Sequence, residues 1–334
     1  AYEISTRDWS SDVCSSDLVV THYCPRVRVT RPALIVSCTD RKSLPASKSL
    51  RIRQLGKGEG IKERAEIWST NVKVALENGS TVALRDLYQG EYWSTAIECE
   101  DAADLFVVSA GLGFAGVDSS GVGYGATFAA SSVDSILRFG TGAQADIRSS
   151  WWQHLCTGLG CHQWVKHMPH TLLVAVSEAY QQAISSDLIR LAEAGHRIIV
   201  ITGSDPIRKL AECDQIEHVR VGQWIRMVLG GSTPCVGIRA TRFLLSTNEW
   251  KTTEGTKDAM KRLRSRYLRS SEKLPQFDRQ NQSDQQVREW IRRKIVSQSS
   301  TSVSKSSLLR ELRDCGLKCE QKRFYRLFEE VVRL

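Results

Sequence analysis

The chain has 334 residues, 41% of them hydrophobic and 25% charged, with ten cysteines and seven prolines; these proportions fit a globular protein of one large and one small domain and exclude a collagen-like or low-complexity chain. No apolar run approaches the roughly 20 residues needed to span a bilayer, and the cysteines lack the spacing of a disulfide framework, so a cytoplasmic protein with free thiols and no membrane partner is expected. The formal charge of +9 is unevenly placed: residues 251–334 hold 21 Lys/Arg against 11 Asp/Glu, leaving 25 basic and 26 acidic groups in the first 250.

In chain order, Arg7–Leu18 (RDWSSDVCSSDL) has no amphipathic period and reads as a translated sequencing-adapter oligonucleotide. Residues 1–20 are therefore set aside as an artefact. ALIVS at 33–37 predicts a buried strand that delivers the polar loop Cys38–Lys42. A basic, Gly-containing connection covers 45–58. Ile61, Ala65, Trp68, Val72 and Leu76 recur every three or four residues, predicting an amphipathic helix to Glu77. Thr81–Leu84 and Leu105–Ala110 predict strands, and Thr127–Leu137 a helix. Residues 138–170, rich in Gly, Trp and His, show no period.

A second α/β stretch follows. Thr171–Ser177 and Arg197–Thr202 read as strands around a helix, Glu178–Ala194, and Ser204 and Pro206 open another helix. His218–Val221 and Gln223–Leu229 continue the alternation. The expected fold class is α/β over 30–250, a mainly parallel sheet with helices on both faces. A polar linker, helical near 256–270, covers 251–284. A basic helical domain fills 285–334, with helices Gln285–Val296, Lys305–Asp314 and Cys319–Val332.

Two groups of residues carry candidate chemistry. The first lies at expected strand ends: Ser37, Asp40 and Lys42 after the first strand, Ser109 after the third, and Tyr124 and Thr127 beyond. Ligands of open parallel sheets sit past the carboxyl ends of strands. A Ser/Asp/Lys set there can bind phosphate or position a nucleophile against a base; the same residues also serve plain turn chemistry. Arg41 adds a cation. The second group is Lys318, Gln321, Lys322 and Arg326 at the start of the last helix. With a four-residue turn, Cys315–Lys318, the last two helices resemble a helix-turn-helix or winged-helix pair. Basic and amide groups there suit phosphate and base-edge contacts. The alternative for these helices is a protein-docking module.

Two further patterns carry less. GLGFAG at 111–116 matches G-x-G-x-x-G, but VDSSGVGYG follows where a helix should begin, so no helix N-terminus is expected to meet a pyrophosphate and no cofactor is assigned. Cys156, Cys161 and His162 could ligate zinc, although C-x4-C with an adjoining His is not a usual finger spacing; no metal is assigned.

Three motifs together carry a resemblance: LIVSCTDRKS (34–43), RDLYQGEYW (85–93) and FVVSAGLGFAGVDSSGVGYGATFA (106–129). In order and spacing they are similar to the YaaA superfamily, specifically to YaaA-related domains of bacteria and phages, over about residues 33–135. Leu112 stands where an aromatic residue is common and Gly123 where proline is. The resemblance implies an α/β domain with a nucleic-acid-facing cleft, associated with DNA binding, genome defence, nucleic-acid modification or protection against oxidative damage. It implies no particular reaction. Nucleic acid, DNA in preference to RNA, is the expected partner. Two other readings stay open, an enzyme acting on a nucleotide or modified base and a helical docking module in a defence or repair complex.

Overall fold

The computed structural model describes residues 31–55, 60–270, 280–297 and 305–332, so residues 1–20, which the sequence reading set aside, and 271–279 of the expected linker lie outside the described residues. The chain divides into two compact units, residues 1–273 and 274–334. Among the described residues no helix is long and apolar enough to cross a membrane.

The first unit is a mixed α/β fold built on a six-stranded sheet. Its strands are β1 (Ala33–Ser37), β3 (Asp104–Ser109), β4 (Gly113–Gly116), β6 (Thr171–Ala175), β7 (Arg197–Thr202) and β8 (Ile216–Arg220) in the order β4-β3-β1-β6-β7-β8. All neighbours are parallel except β3 and β4. Ala33–Val36 of the central β1 are wholly buried, which explains a strand without alternation: parallel strands covered on both faces are apolar throughout. A small ladder joins β2 (Val82–Ala83) to β5 (Ser120–Gly121).

Around the sheet lie α1 (Ile61–Asn78), α2 (Leu84–Leu87), α3 (Glu91–Ile97), α4 (Gln144–Leu159), α5 (Glu178–Glu193), α6 (Arg208–Ala211), α7 (Ile225–Leu229), α8 (Val236–Thr247) and α9 (Thr253–Arg269). They form two packed groups: α4 touches α1 and α5, whereas α8 touches α3 and α7, and α7 touches α9. Trp68, Trp151 and Trp152 fill the core between α1, α4 and α5. Each such large side chain contributes on the order of 3 kcal/mol relative to exposure.

Several expectations change. Thr127–Leu137 is not a helix: Thr127 bridges Ser135, and the Ser132 and Ser135 hydroxyls accept the N–H groups of Asp134 and Leu137. Such local side-chain bonds compete with the helical ladder. Residues 138–170, without a legible period, contain the sixteen-residue α4. The helix expected from Ser204 begins only at Arg208, and Leu84 starts α2 instead of ending a strand. The expected linker opens with α9, whose Ala259 and Leu263 lie in the core of the first unit.

The second unit has three helices, α10 (Asp284–Ser297), α11 (Lys305–Asp314) and α12 (Gln321–Val332), and a parallel pair, β9 (Gln280–Asn281) with β10 (Leu317–Lys318). Val287, Ile291, Leu308, Leu309, Leu312, Phe324 and Leu327 form its own core. The last helix starts two residues later than expected. Leu317–Lys318 enters a strand and Cys319 is buried in the core, so a six-residue connection, not a four-residue turn, separates α11 from α12.

Candidate functional site

In the parallel part of the sheet the order β3-β1-β6-β7-β8 makes β1 the turning point. The chain leaves β1 for β3 on one side and later returns to β6 on the other. Ligand sites of such sheets lie outside the carboxyl ends of the strands at that switch point. Here the ladder between β1 and β6 ends at Val36 and Ala175. Where the strands part, the Tyr92 hydroxyl joins them, accepting from the Ser37 N–H at 3.2 Å and donating to the Ala175 carbonyl. One step further, the Cys38 thiol lies 3.1 Å from the Tyr180 hydroxyl at the start of α5.

The first two sequence motifs are held side by side. Ser43 N–H donates to the Leu87 carbonyl at 2.8 Å and Gln89 N–H to the Arg41 carbonyl at 3.0 Å, and Lys42 forms an antiparallel bridge with Tyr88. Gly90, at φ 106°, then turns the chain into α3 in a backbone conformation that favours glycine. The third motif closes the floor. Its Ser109 hydroxyl accepts the N–H groups of Gly111 and Leu112 at 3.1 and 2.9 Å and lies 2.6 Å from the Tyr124 hydroxyl, which lies 3.0 Å from that of Tyr88. Both acceptor directions of the Ser109 oxygen are thus used, so its proton points to the phenols, Tyr124 nearest and Tyr88 beside it, and the two phenols share a further hydrogen bond. The glycine-rich run itself is a hairpin between β3 and β4, and no helix begins there.

Above this floor is a cavity of about 360 Å³ lined by Asp40, Lys42, Arg51, Tyr124, Thr127 and Asp134, with Ser132 and four apolar or glycine residues completing the wall. Four of the expected catalytic candidates, Asp40, Lys42, Tyr124 and Thr127, are therefore brought together. Ser109 is wholly buried beneath them and Ser37 is buried at the end of β1; neither lines the cavity, and the bonding of Ser109 suits a floor residue better than a nucleophile. Arg41 is exposed on the loop.

Burial governs the electrostatics. It lowers the pKa of Lys42, opposed in part by Asp40 and Asp134. It raises those of Tyr88, Tyr124 and Tyr180 far above the usual phenol range and pushes Tyr92 up to about 12. The four phenols therefore stay protonated and act as hydrogen-bonding groups, not bases. The Lys42 ammonium donates to the Thr39 and Asp40 carbonyls at 3.0 and 3.4 Å and sits 4.1 Å from the centre of the Tyr124 ring.

Sequence reasoning missed Arg51, Ser132 and Asp134, and gave Cys38 no role. Arg51 lay unremarked in the basic connection. It is fixed by a bridge to Gly125, with Ile52 N–H donating to the Gly125 carbonyl at 2.8 Å. Asp134 was hidden in the stretch expected to be helical. Tyr88 and Tyr92 stood inside a quoted motif, which was the one available signal.

The zinc candidates do not form a ligand set. Cys156 is buried in α4 beside Cys161, whose sulfur accepts the Phe114 N–H at 3.4 Å, while His162 is exposed. Among the described residues no group of three or more His, Cys, Asp and Glu could hold a metal ion.

In the second unit, Lys318 is exposed in β10 and Gln321 opens α12, its amide donating to the Tyr325 hydroxyl at 3.2 Å. Lys322 falls in the first turn of α12, and its side chain lies outside the described residues. Arg326 is not free: it pairs with Asp284 at 3.0 Å, as does Arg323 at 2.6 Å, and both pairings hold the Asp284 carboxyl below its usual pKa, Arg323 foremost. Arg288 pairs with Glu330 at 2.9 Å, Lys294 with Glu311 and Lys305 with Glu329. Arg292, Arg293, Arg310 and Lys318 are exposed and pair with no described carboxylate.

Compared with protein-family models, curated proteins and solved structures, the chain matches none.

Proposed function

We propose that the protein binds nucleic acid, with the helical unit contacting backbone phosphates and the cleft of the α/β unit receiving a nucleotide. The observation that carries the first part is the set of cations left over after internal pairing, Arg292, Arg293, Arg310 and Lys318. Exposed cations without carboxylate partners are what counterion release from a phosphate backbone requires. In this reading α12 is the reading helix, with Gln321 and Lys322 at its start. The similarity of the three cleft motifs to YaaA-related domains supports a DNA partner and a role in genome defence, DNA modification or stress protection in the cytoplasm.

The test is fluorescence anisotropy with a labelled duplex across a salt series. Reversal of the four cations to Glu should cost at least tenfold in affinity at low salt and flatten the salt slope. Unchanged binding with the helices intact would refute the reading and favour a docking module.

A second reading, an enzyme or sensor acting on a nucleotide or modified base, is favoured by one observation, the convergence of Asp40, Lys42, Tyr124 and Thr127 on a cavity of about 360 Å³ at the switch point. Nucleotide turnover lost in Lys42→Ala, with the fold retained, supports catalysis; ligand binding without turnover leaves a sensor.

A further inference from the structure

In three concave regions among the described residues of the first unit, charged side chains are arranged differently. In one, at the amino end of β7, Arg197 is closed by Glu217 at 2.8 Å. In a second, beyond β7 and β8, Arg220 is closed by Asp205 at 2.7 Å. In the switch-point cavity, Lys42 and Arg51 both line the wall, and neither pairs with a described carboxylate.

We propose that Lys42 and Arg51 form a subsite for a single phosphate group, so that the cleft takes a nucleoside monophosphate unit and not a triphosphate. This rests on the nucleotide reading of the cleft given above. Two of the three Lys42 ammonium hydrogens are spent on the Thr39 and Asp40 carbonyls, which fixes the group and leaves one donor for a ligand. A lysine held in this way, partly buried against the Tyr124 ring, bears a desolvation cost that an incoming anion offsets. Arg51 has only its Nε occupied, in a 3.4 Å contact with the Ala46 carbonyl. Its two terminal nitrogens form the planar fork that matches phosphate oxygens. The Arg51 backbone is clamped, since Gly125 N–H donates to the Leu50 carbonyl at 2.7 Å and Ile52 N–H to the Gly125 carbonyl.

Charge balance sets the number of phosphates. Asp40 and Asp134 line the same cavity, and Asp134 lies 3.6 Å from Arg53. With Asp134 balanced by Arg53, Lys42 and Arg51 face Asp40 alone, an excess that favours one phosphate; further phosphates would lie against the carboxylates without a compensating charge. Those carboxylates and the Ser132 and Thr127 hydroxyls remain to receive sugar hydroxyls or the N–H edge of a base. The shared chemistry, a nucleoside with one phosphate, is offered both by a free nucleotide and by the phosphorylated end of a strand.

The test uses the full chain and isothermal titration in metal-free buffer. The probes are the four nucleoside 5′-monophosphates, their nucleosides and triphosphates, and trinucleotides with and without a 5′-phosphate. At least one monophosphate should bind ten or more times tighter than its nucleoside and its triphosphate. Arg51→Ala and the volume-conserving Lys42→Met should each remove that tenfold gain, with circular dichroism checking that both fold. Tighter binding of the phosphorylated trinucleotide supports the strand end as source; binding of the monophosphate alone supports the free nucleotide. A nucleoside that binds as well as its monophosphate overturns the subsite but leaves the cleft reading standing. A triphosphate that binds as tightly overturns the single-phosphate inference, and no binding by any probe overturns both.

Discussion

Replacing Tyr124 with phenylalanine tests the buried hydroxyl chain under the cleft. Ser109 accepts two backbone N–H groups, so its own hydrogen goes to the phenols, the Tyr124 oxygen at 2.6 Å foremost and Tyr88 beside it. Tyr124→Phe takes the nearest acceptor from that donor in a wholly buried position, which costs about 1–3 kcal/mol. It also removes the bond to Tyr88, worth about 0.5–1.5 kcal/mol net. A total loss of about 2–4 kcal/mol is expected, while Tyr88→Phe, at the far end of the chain, should cost only about 1 kcal/mol. Urea unfolding followed by tryptophan fluorescence reads both, because Trp68, Trp151 and Trp152 lie in the same core; the midpoint should fall without a change in slope. If Tyr124→Phe costs under about 0.5 kcal/mol, or less than Tyr88→Phe, Tyr124 is not the main partner of the Ser109 hydroxyl.

The neighbouring backbone offers a second test: a Cβ on Gly111 would lie 2.3 Å from the Tyr124 ring, so Gly111→Ala should cost about 1–3 kcal/mol. Adding Tyr124→Ala should relieve part of that cost, and strictly additive losses in urea unfolding would contradict the contact. Burial lowers the Lys42 pKa, so between the folded value and the ordinary lysine value the unfolded chain binds more protons and stability rises with pH. Lys42→Met should therefore gain stability relative to the parent below that window and lose the advantage through it, and a pH-independent difference would refute the shift. Asp284→Ala frees Arg323 and Arg326; if the helices survive by circular dichroism, the salt slope of DNA binding should steepen by up to about 2. A shallower slope would show that the freed arginines do not reach phosphates.

Legibility followed chemistry with a short range. β1 and β7 match their expected bounds, and α1 and α5 end within a residue of them. Apolar runs and helical stripes report burial directly, and these elements are buried on the faces that the pattern marks. The α4 stripe was present as Ile147, Trp151, Leu155 and Leu159, all buried. It was obscured by Gly140, Gly142, Gly158 and Gly160 and by Arg148, a charged residue in the buried layer. Arg148 is tolerated there because Phe128 O, Gln144 and Gln182 accept its hydrogens. The cleft was half legible: Asp40, Lys42, Tyr124 and Thr127 stood at readable strand ends. Arg51 and Asp134 reach it only through bridges to Gly125 and a turn around Thr127, pairings between distant segments that no local pattern encodes.

Formal charge overstated what the C-terminal unit can offer a polyanion. Twelve Lys and Arg occupy 285–334, yet Arg288, Lys294, Lys305, Arg323 and Arg326 are each held by a carboxylate of the same unit. Those pairs stabilise three short helices around a small core, and their cations would have to leave a partner before meeting a phosphate. On the proposed reading, the exposed remainder supplies affinity without sequence preference, because phosphate contacts position a strand and do not read it. Discrimination must then arise where donors and acceptors converge at fixed spacing. In this chain that place is the switch-point cavity, where Lys42 and Arg51 face Asp40 and Asp134 across hydroxyl-bearing walls.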